Sequence, residues 1–206
     1  MKTFPFDTFG LEERDEKVLY KTYAELKKKY DVIPDGYFDV DLKDYDLFSE
    51  YSHIFVRETI EIPLENTTCY LLFAQVSYSG IGGKGQEYSA SEYRFFVIGE
   101  LKKEFAHLLL RKMTFIDKLH EVMKPVRVKF ENDKEFSNKY YVLAKDSLKA
   151  ELALGSKYRD ALMNLSIGNF FLEMKNNHVI IGNKTPADTG VALECIDFMQ
   201  KISEIN

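Results

Sequence analysis

The side chains best equipped for chemistry are few and widely spaced. The four histidines, His53, His107, His120 and His178, form no His-x-x-x-His pair, and neither Cys69 nor Cys195 lies within four residues of a histidine. Locally spaced zinc ligands are therefore missing, and no metal ligand and no cofactor is assigned. Nothing beside either cysteine would lower a thiol pKa, so both read as buried core thiols in a reducing compartment. No Gly-x-Ser-x-Gly elbow and no Ser-x-x-Lys pair occurs. The pairs Glu58/Glu61 and Glu100/Glu104 read as solvent-facing carboxylates, so no catalytic residue is named.

Two segments hold the remaining candidates. The run Gly80-Ile-Gly-Gly-Lys-Gly85 resembles a phosphate-cradling loop in composition only. A P-loop needs four residues between its first glycine and the Gly-Lys pair, a Ser or Thr after the lysine, and a following helix. Here Gly85 follows Lys84 and both flanks look like strands, so no helix N-terminus is available to an anion. The run is read as the flexible tip of a hairpin, and Gly80, Ile81, Gly82, Gly83 and Lys84 are the candidate binding residues. The second segment carries Asp35, Asp39, Asp41, Asp44 and Asp46 among Tyr37, Phe38, Val40, Leu42, Tyr45 and Leu47. Asp39 and Asp41 have the first calcium-loop spacing, but Lys43 stands at the third ligand position and Asp44 where glycine is needed. The bland reading is a surface strap pinned by its apolar side chains, with its carboxylates in water.

The elements that position these segments follow from periodicity. Leu11 to Tyr30 has apolar residues at helical spacing, with acidic residues in its first turns and Lys27 to Lys29 in its last, matching the helix dipole. From His53 the period becomes two. Ile54 to Ile62, Thr67 to Ser79, Tyr93 to Gly99 and Phe105 to Arg111 read as four strands of an antiparallel meander. A short helix is expected from Thr114 to Met123, ended by Pro125. Extended pieces follow at Val126 to Phe130 and Lys139 to Leu143. Asp146 caps a helix to about Leu154, and a second runs from Lys157 to Leu165. Asn169 to Gly182 reads as a hairpin turning at Asn176-Asn177. Thr185 caps the last helix, with Pro186 in its first position and one apolar stripe from Val191 to Ile205.

With 206 residues, 45% hydrophobic and 14% aromatic, the chain has ample material for a core, and disordered and disulfide-scaffold classes are excluded. A net charge of −5 argues against nucleic acid as a partner. The longest charge-free stretch, Asn66 to Gly83, contains three glycines and several polar residues, so it reads as a strand and turn rather than a transmembrane segment. Before Asp7 there is no apolar region of a signal peptide, and a cytoplasmic location is expected.

Three places carry a family resemblance over about residues 71–202. They are Tyr78-Ser-Gly-Ile-Gly-Gly-Lys leading to Tyr93-Arg-Phe-Phe-Val, then His107-Leu-Leu-Leu-Arg111, then Asp133-Lys-Glu-Phe-Ser-Asn-Lys-Tyr140. Together they resemble an uncharacterised bacterial and archaeal domain family of unknown function, often found beside transmembrane helices. That family usually has His-Pro before the acidic residue, where this chain has Asn132-Asp133-Lys134, and often Trp where this chain has Phe170-Phe171. The resemblance implies a shared fold unit and a life near membranes, and it supplies no catalytic residue. Independently of it, Phe136 and Tyr140 are four apart and can pack together, with Ser137 and Asn138 tying the backbone locally.

These readings combine into one α+β domain over 1–206, any division into lobes falling near Pro125. An antiparallel sheet of about six to seven strands is expected, covered by an N-terminal helix, a middle helix pair and a C-terminal helix. The leading functional expectation is a non-enzymatic binding module with a protein or small-molecule partner. The alternative is an enzyme with a dispersed acidic, divalent-metal-dependent site among Asp35 to Asp46. Peripheral membrane contact through the glycine tip is a third. Oligomeric state is left open.

Overall fold

The computed structural model describes residues 4–36, 40–81, 85–112 and 127–205. The expected helix from Thr114 to Met123 and the lobe junction near Pro125 lie outside these residues. Helix α1 (Glu13–Lys29) buries Leu19, Thr22 and Leu26 and keeps its acidic first turn and basic last turn. The strands are β1 (Ile33–Pro34), β2 (His53–Pro63), β3 (Thr68–Ile81), β4 (Glu87–Lys112), β5 (Arg127–Val128), β6 (Tyr140–Ala144) and β7 (Phe170–Asn183). Among the described residues they form one antiparallel sheet in the order β1-β2-β3-β4-β6-β5, with β7 paired to β4. The fold is α+β.

Strand β4 organises the molecule. It is 26 residues long. Its first half pairs with β3 from Ile81↔Glu87 to Cys69↔Gly99, and its end pairs with β6 from Leu108↔Ala144 to Lys112↔Tyr140. Strand β7 pairs with it from Phe96↔Gly182 to Arg111↔Phe171. Two strands expected separately, Tyr93 to Gly99 and Phe105 to Arg111, are thus one strand interrupted by register shifts between Glu100 and Leu108. The same pairing overturns the hairpin expected at Asn176-Asn177. Asn176 does take a left-handed backbone, with φ of 56°, but β7 continues through it. An asparagine signal fits a bulge as well as a turn. The long-range ladder decides, because both halves of β7 are buried and each finds its own half of β4.

Alternation along the strands defines two faces. Cys69, Leu71, Phe73, Phe95, Val97, Leu172, Met174, Val179 and Ile181 share one core cluster with Leu19 and Leu26 of α1. That cluster also takes Cys195, Phe198, Met199 and Ile202 of α5 (Thr189–Ile205). The intervening residues Leu72, Ala74, Val76, Phe96, Ile98, Phe171 and Ile180 form the second cluster, and the strap residues Leu42, Tyr45, Leu47, Phe48 and Tyr51 cover them. Each such side chain contributes about 1.5–3 kcal/mol on burial. The strap is built from two short 3-10 turns, Leu42–Asp44 and Asp46–Phe48, the first capped by the Asp41 side chain through the Lys43 amide.

Helix α2 (Lys134–Lys139) lies between β5 and β6, and α3 (Ser147–Ala153) and α4 (Ser156–Met163) follow β6 in the chain. Asp146 caps α3 at the Lys149 amide, as its sequence position suggests. Phe136 packs on Tyr140 with ring centroids 5.0 Å apart, and the Tyr140 hydroxyl donates to the Leu162 carbonyl at 2.8 Å, which ties α2 and β6 to α4. The last helix starts later than expected. Asp188, not Thr185, caps it by accepting from the Val191 amide at 3.0 Å. Thr185 is instead held by Asn183, whose side-chain amide donates to its hydroxyl at 2.6 Å.

Candidate functional site

The two ends of β4 present two candidate sites. At its N-terminal end the β3–β4 hairpin runs past the rest of the sheet. Pairing of β2 with β3 ends at His53↔Ser77, where the Ser52 amide donates to the Ser77 carbonyl, and pairing of β7 with β4 begins only at Phe96. Among the described residues, Tyr78–Ile81 and Glu87–Ala90 therefore pair in the ladder only with each other, while Ser91–Tyr93 pair with Gln75–Ser77 and the Tyr93 carbonyl also accepts from the Ala187 amide at 2.7 Å. Ile81 is 75% exposed and Tyr88 53% exposed. Gly80 faces Tyr88 across the ladder, and a Cβ there would stand 2.9 Å from the Tyr88 ring. The glycine lets the aromatic ring lie flat over the backbone. The hairpin is anchored at its root by Arg94. Its buried guanidinium donates to Glu92 at 2.7 Å and to the Tyr51 hydroxyl at 2.8 Å, and it lies over the rings of Tyr51 and Tyr78. Of the residues expected to bind, Gly80 and Ile81 are placed on this arm, and Gly82, Gly83 and Lys84 lie outside the described residues.

At the other end, the strap face gathers Asp46, His107 and Glu173. His107 alternates with Leu108, and Glu173 lies between Leu172 and Met174, so both side chains leave the helix-covered face for the strap face. Glu173 is fully buried. Its carboxylate accepts from the backbone amides of Asp46 at 3.2 Å and Leu47 at 2.8 Å, at the start of the second 3-10 turn. The Nε2 of His107 is 2.7 Å from Glu173 Oε1 and 3.6 Å from Asp46 Oδ2. Facing two carboxylates, that nitrogen is the donor. A small pocket of about 190 Å³ opens beside Asp46 and His107, bounded by Leu109, Leu143 and Lys145. Nearby, Tyr45 Oη and His178 Nδ1 are hydrogen-bonded at 3.0 Å, and Lys175 donates to the Asp44 carbonyl.

The sequence reading did not find this cluster, because its members come from three separated segments. Glu173 had a signal: a single carboxylate inside Phe170-Phe-Leu-Glu-Met174 must be paired if that run is buried. Of the strap aspartates, Asp41 serves as a cap, Asp46 joins the cluster and Asp39 lies outside the described residues. Asp35 takes a positive φ of 56° in the turn after β1 and stands near Glu58.

Glu58 corrects another expectation. It is 7% exposed rather than solvent-facing, and burial, with Asp35 adding repulsion, pushes its carboxyl up to about 7. A bulge between Val56 and Glu58 turns it inward. The cysteines are buried free thiols, and burial pushes Cys69 up to about 12. No described helix is long and apolar enough to cross a membrane.

The fold thus belongs to the antiparallel α+β class, with one helix-covered and one strap-covered face. No family model matches the chain, and no curated protein matches it. Among solved structures, it is similar to the crystal structure of the mycobacterial trehalose monomycolate transport factor A, TtfA. The TM-score is 0.57 over 91% of this chain and 93% of that one, at 8% sequence identity, a likeness of fold alone.

Proposed function

We propose that the chain is a non-enzymatic binding module that takes an extended segment of a protein partner along the β3–β4 arm. The observation that carries this reading is the arm's unpaired edges: beyond Ser77 on β3 and before Tyr93 on β4, whose carbonyl accepts from the Ala187 amide at 2.7 Å, backbone donors and acceptors have no ladder partner outside the arm among the described residues. Such edges are templates for strand addition, and main-chain pairing supplies affinity while flanking side chains select the partner. Ile81 and Tyr88 supply apolar contact beside the edge, and the Arg94 anchor keeps the arm from folding back. A fold shared with a transport factor supports a carrier or adaptor role over catalysis.

A photo-crosslinking residue placed at position 81, in cells that make the protein, tests the reading. It should give one discrete protein adduct, lost when Ser79→Pro blocks the edge. The same residue at position 148, where Leu148 is 66% exposed, should give none. Equal labelling at both positions would remove the arm as the binding element.

A further inference from the structure

We infer that Asp46, His107 and Glu173 form a binding site for a divalent transition-metal cation of the zinc type. This inference is independent of the partner-binding arm. The three donor atoms lie within 4.8 Å of one another and come from the strap, β4 and β7. Around a tetrahedral ion with bonds of about 2.0–2.2 Å, neighbouring donor atoms stand about 3.3–3.6 Å apart. The His107–Asp46 separation of 3.6 Å matches that spacing, and the His107–Glu173 separation of 2.7 Å falls short of it. Only a small opening of the His107–Glu173 contact is needed, and the Asp46 side chain, 69% exposed, is free to swing.

The surroundings fit a ligand set better than a plain hydrogen bond. Glu173 is oriented by two backbone amides, the kind of outer support that fixes a ligating carboxylate. A cation there would be met by a carboxyl group that is fully buried and already held in place. The pocket beside Asp46 and His107 leaves room for water in the remaining coordination positions. When the cation enters, the imidazole proton moves from Nε2 to Nδ1 and the Nε2 lone pair becomes the ligand. One imidazole with two carboxylates suits zinc or manganese. It disfavours calcium and magnesium, which take oxygen donors, and copper(I), which takes sulfur. A bound ion would also clip the strap to both central strands.

The test uses the full chain, stripped with chelator and titrated calorimetrically with zinc, manganese, calcium and magnesium chlorides. The expected result is one zinc site per chain, with calcium and magnesium at least about 100-fold weaker. Asp46→Asn and His107→Gln should each weaken zinc at least about 10-fold. Because Asp46 is exposed, Asp46→Asn should melt like the parent without metal, which separates lost ligation from lost folding. Zinc should also slow proteolysis within residues 40–51 of the parent and not of Asp46→Asn. No stoichiometric zinc heat, or equal zinc affinity in both variants and the parent, would overturn the site.

Discussion

Strand β4 begins in the open and ends in the core, and the contrast between its two ends separates what the molecule exposes from what it fixes. From Glu87 to Tyr93 its ladder partner is β3 alone, and residues 85–91 are exposed. From Phe96 onward β7 flanks it, and the strap covers Phe96 and Ile98. The polar groups differ in the same way. Arg94 at the boundary and Glu173 beside the covered half are each held by several partners, whereas the arm beyond them carries an apolar pair, Ile81 and Tyr88, in water. Order is concentrated where two layers meet, and the interaction surface lies where the second layer stops.

Mutations can break this contrast, and the largest effect belongs to the covered half. Phe96 packs edge-on against Phe48 at 5.0 Å and near Phe171 at 6.1 Å. Phe96→Ala should cost about 4 kcal/mol in urea unfolding. Glu173→Ala should cost about 3 kcal/mol, because it strands the amides of Asp46 and Leu47 and the His107 nitrogen. A loss below about 1 kcal/mol in either variant would mean that the strap is not fixed to the sheet.

Glu58 sharpens the contrast with Glu173, since it is a buried carboxylate set beside like charges. Its pKa rises from 4.5 unfolded to about 7 folded, so the folded chain binds the extra proton between those values. Its contribution to stability is full below about pH 4.5 and is lost as pH rises through about 7. Glu58→Gln should therefore add about 1 kcal/mol at pH 8, after allowance for partial solvent screening, and close to nothing at pH 5. An equal gain at both pH values would assign the effect to packing. The smallest effect is expected on the arm: Ile81→Asp and Tyr88→Ala should each stay within about 0.5 kcal/mol of the parent by thermal melting.

How legible each end was in the sequence follows from the range of the interactions that make it. The helix from Glu13 to Lys29 is local, and its charge gradient and apolar spacing mark it. The hairpin arm is local too, and glycines at its tip mark it. The strap was readable as an amphipathic segment, because Leu42, Tyr45 and Leu47 alternate with carboxylates. The continuous β4 and β7 were not readable, since the local asparagine signal fits a turn and a bulge equally, and only pairing across about 80 residues chooses between them. The same reason hid the cluster. Asp46, His107 and Glu173 meet only after β4 and β7 align and the strap closes over them, and no spacing rule within one segment reports that.

The arm's open edges are the central claim, and amide hydrogen exchange along β4 in the free protein tests them most directly. The edge-facing amides within Tyr78–Ile81 and Glu87–Glu92 should exchange at least about 1,000-fold faster than those of Phe96–Gly99, with the boundary at Tyr93, where Ala187 meets the strand. Uniform protection along the whole of β4 would mean that the arm is already covered, by another copy of the chain or by another part of it, and would contradict the account.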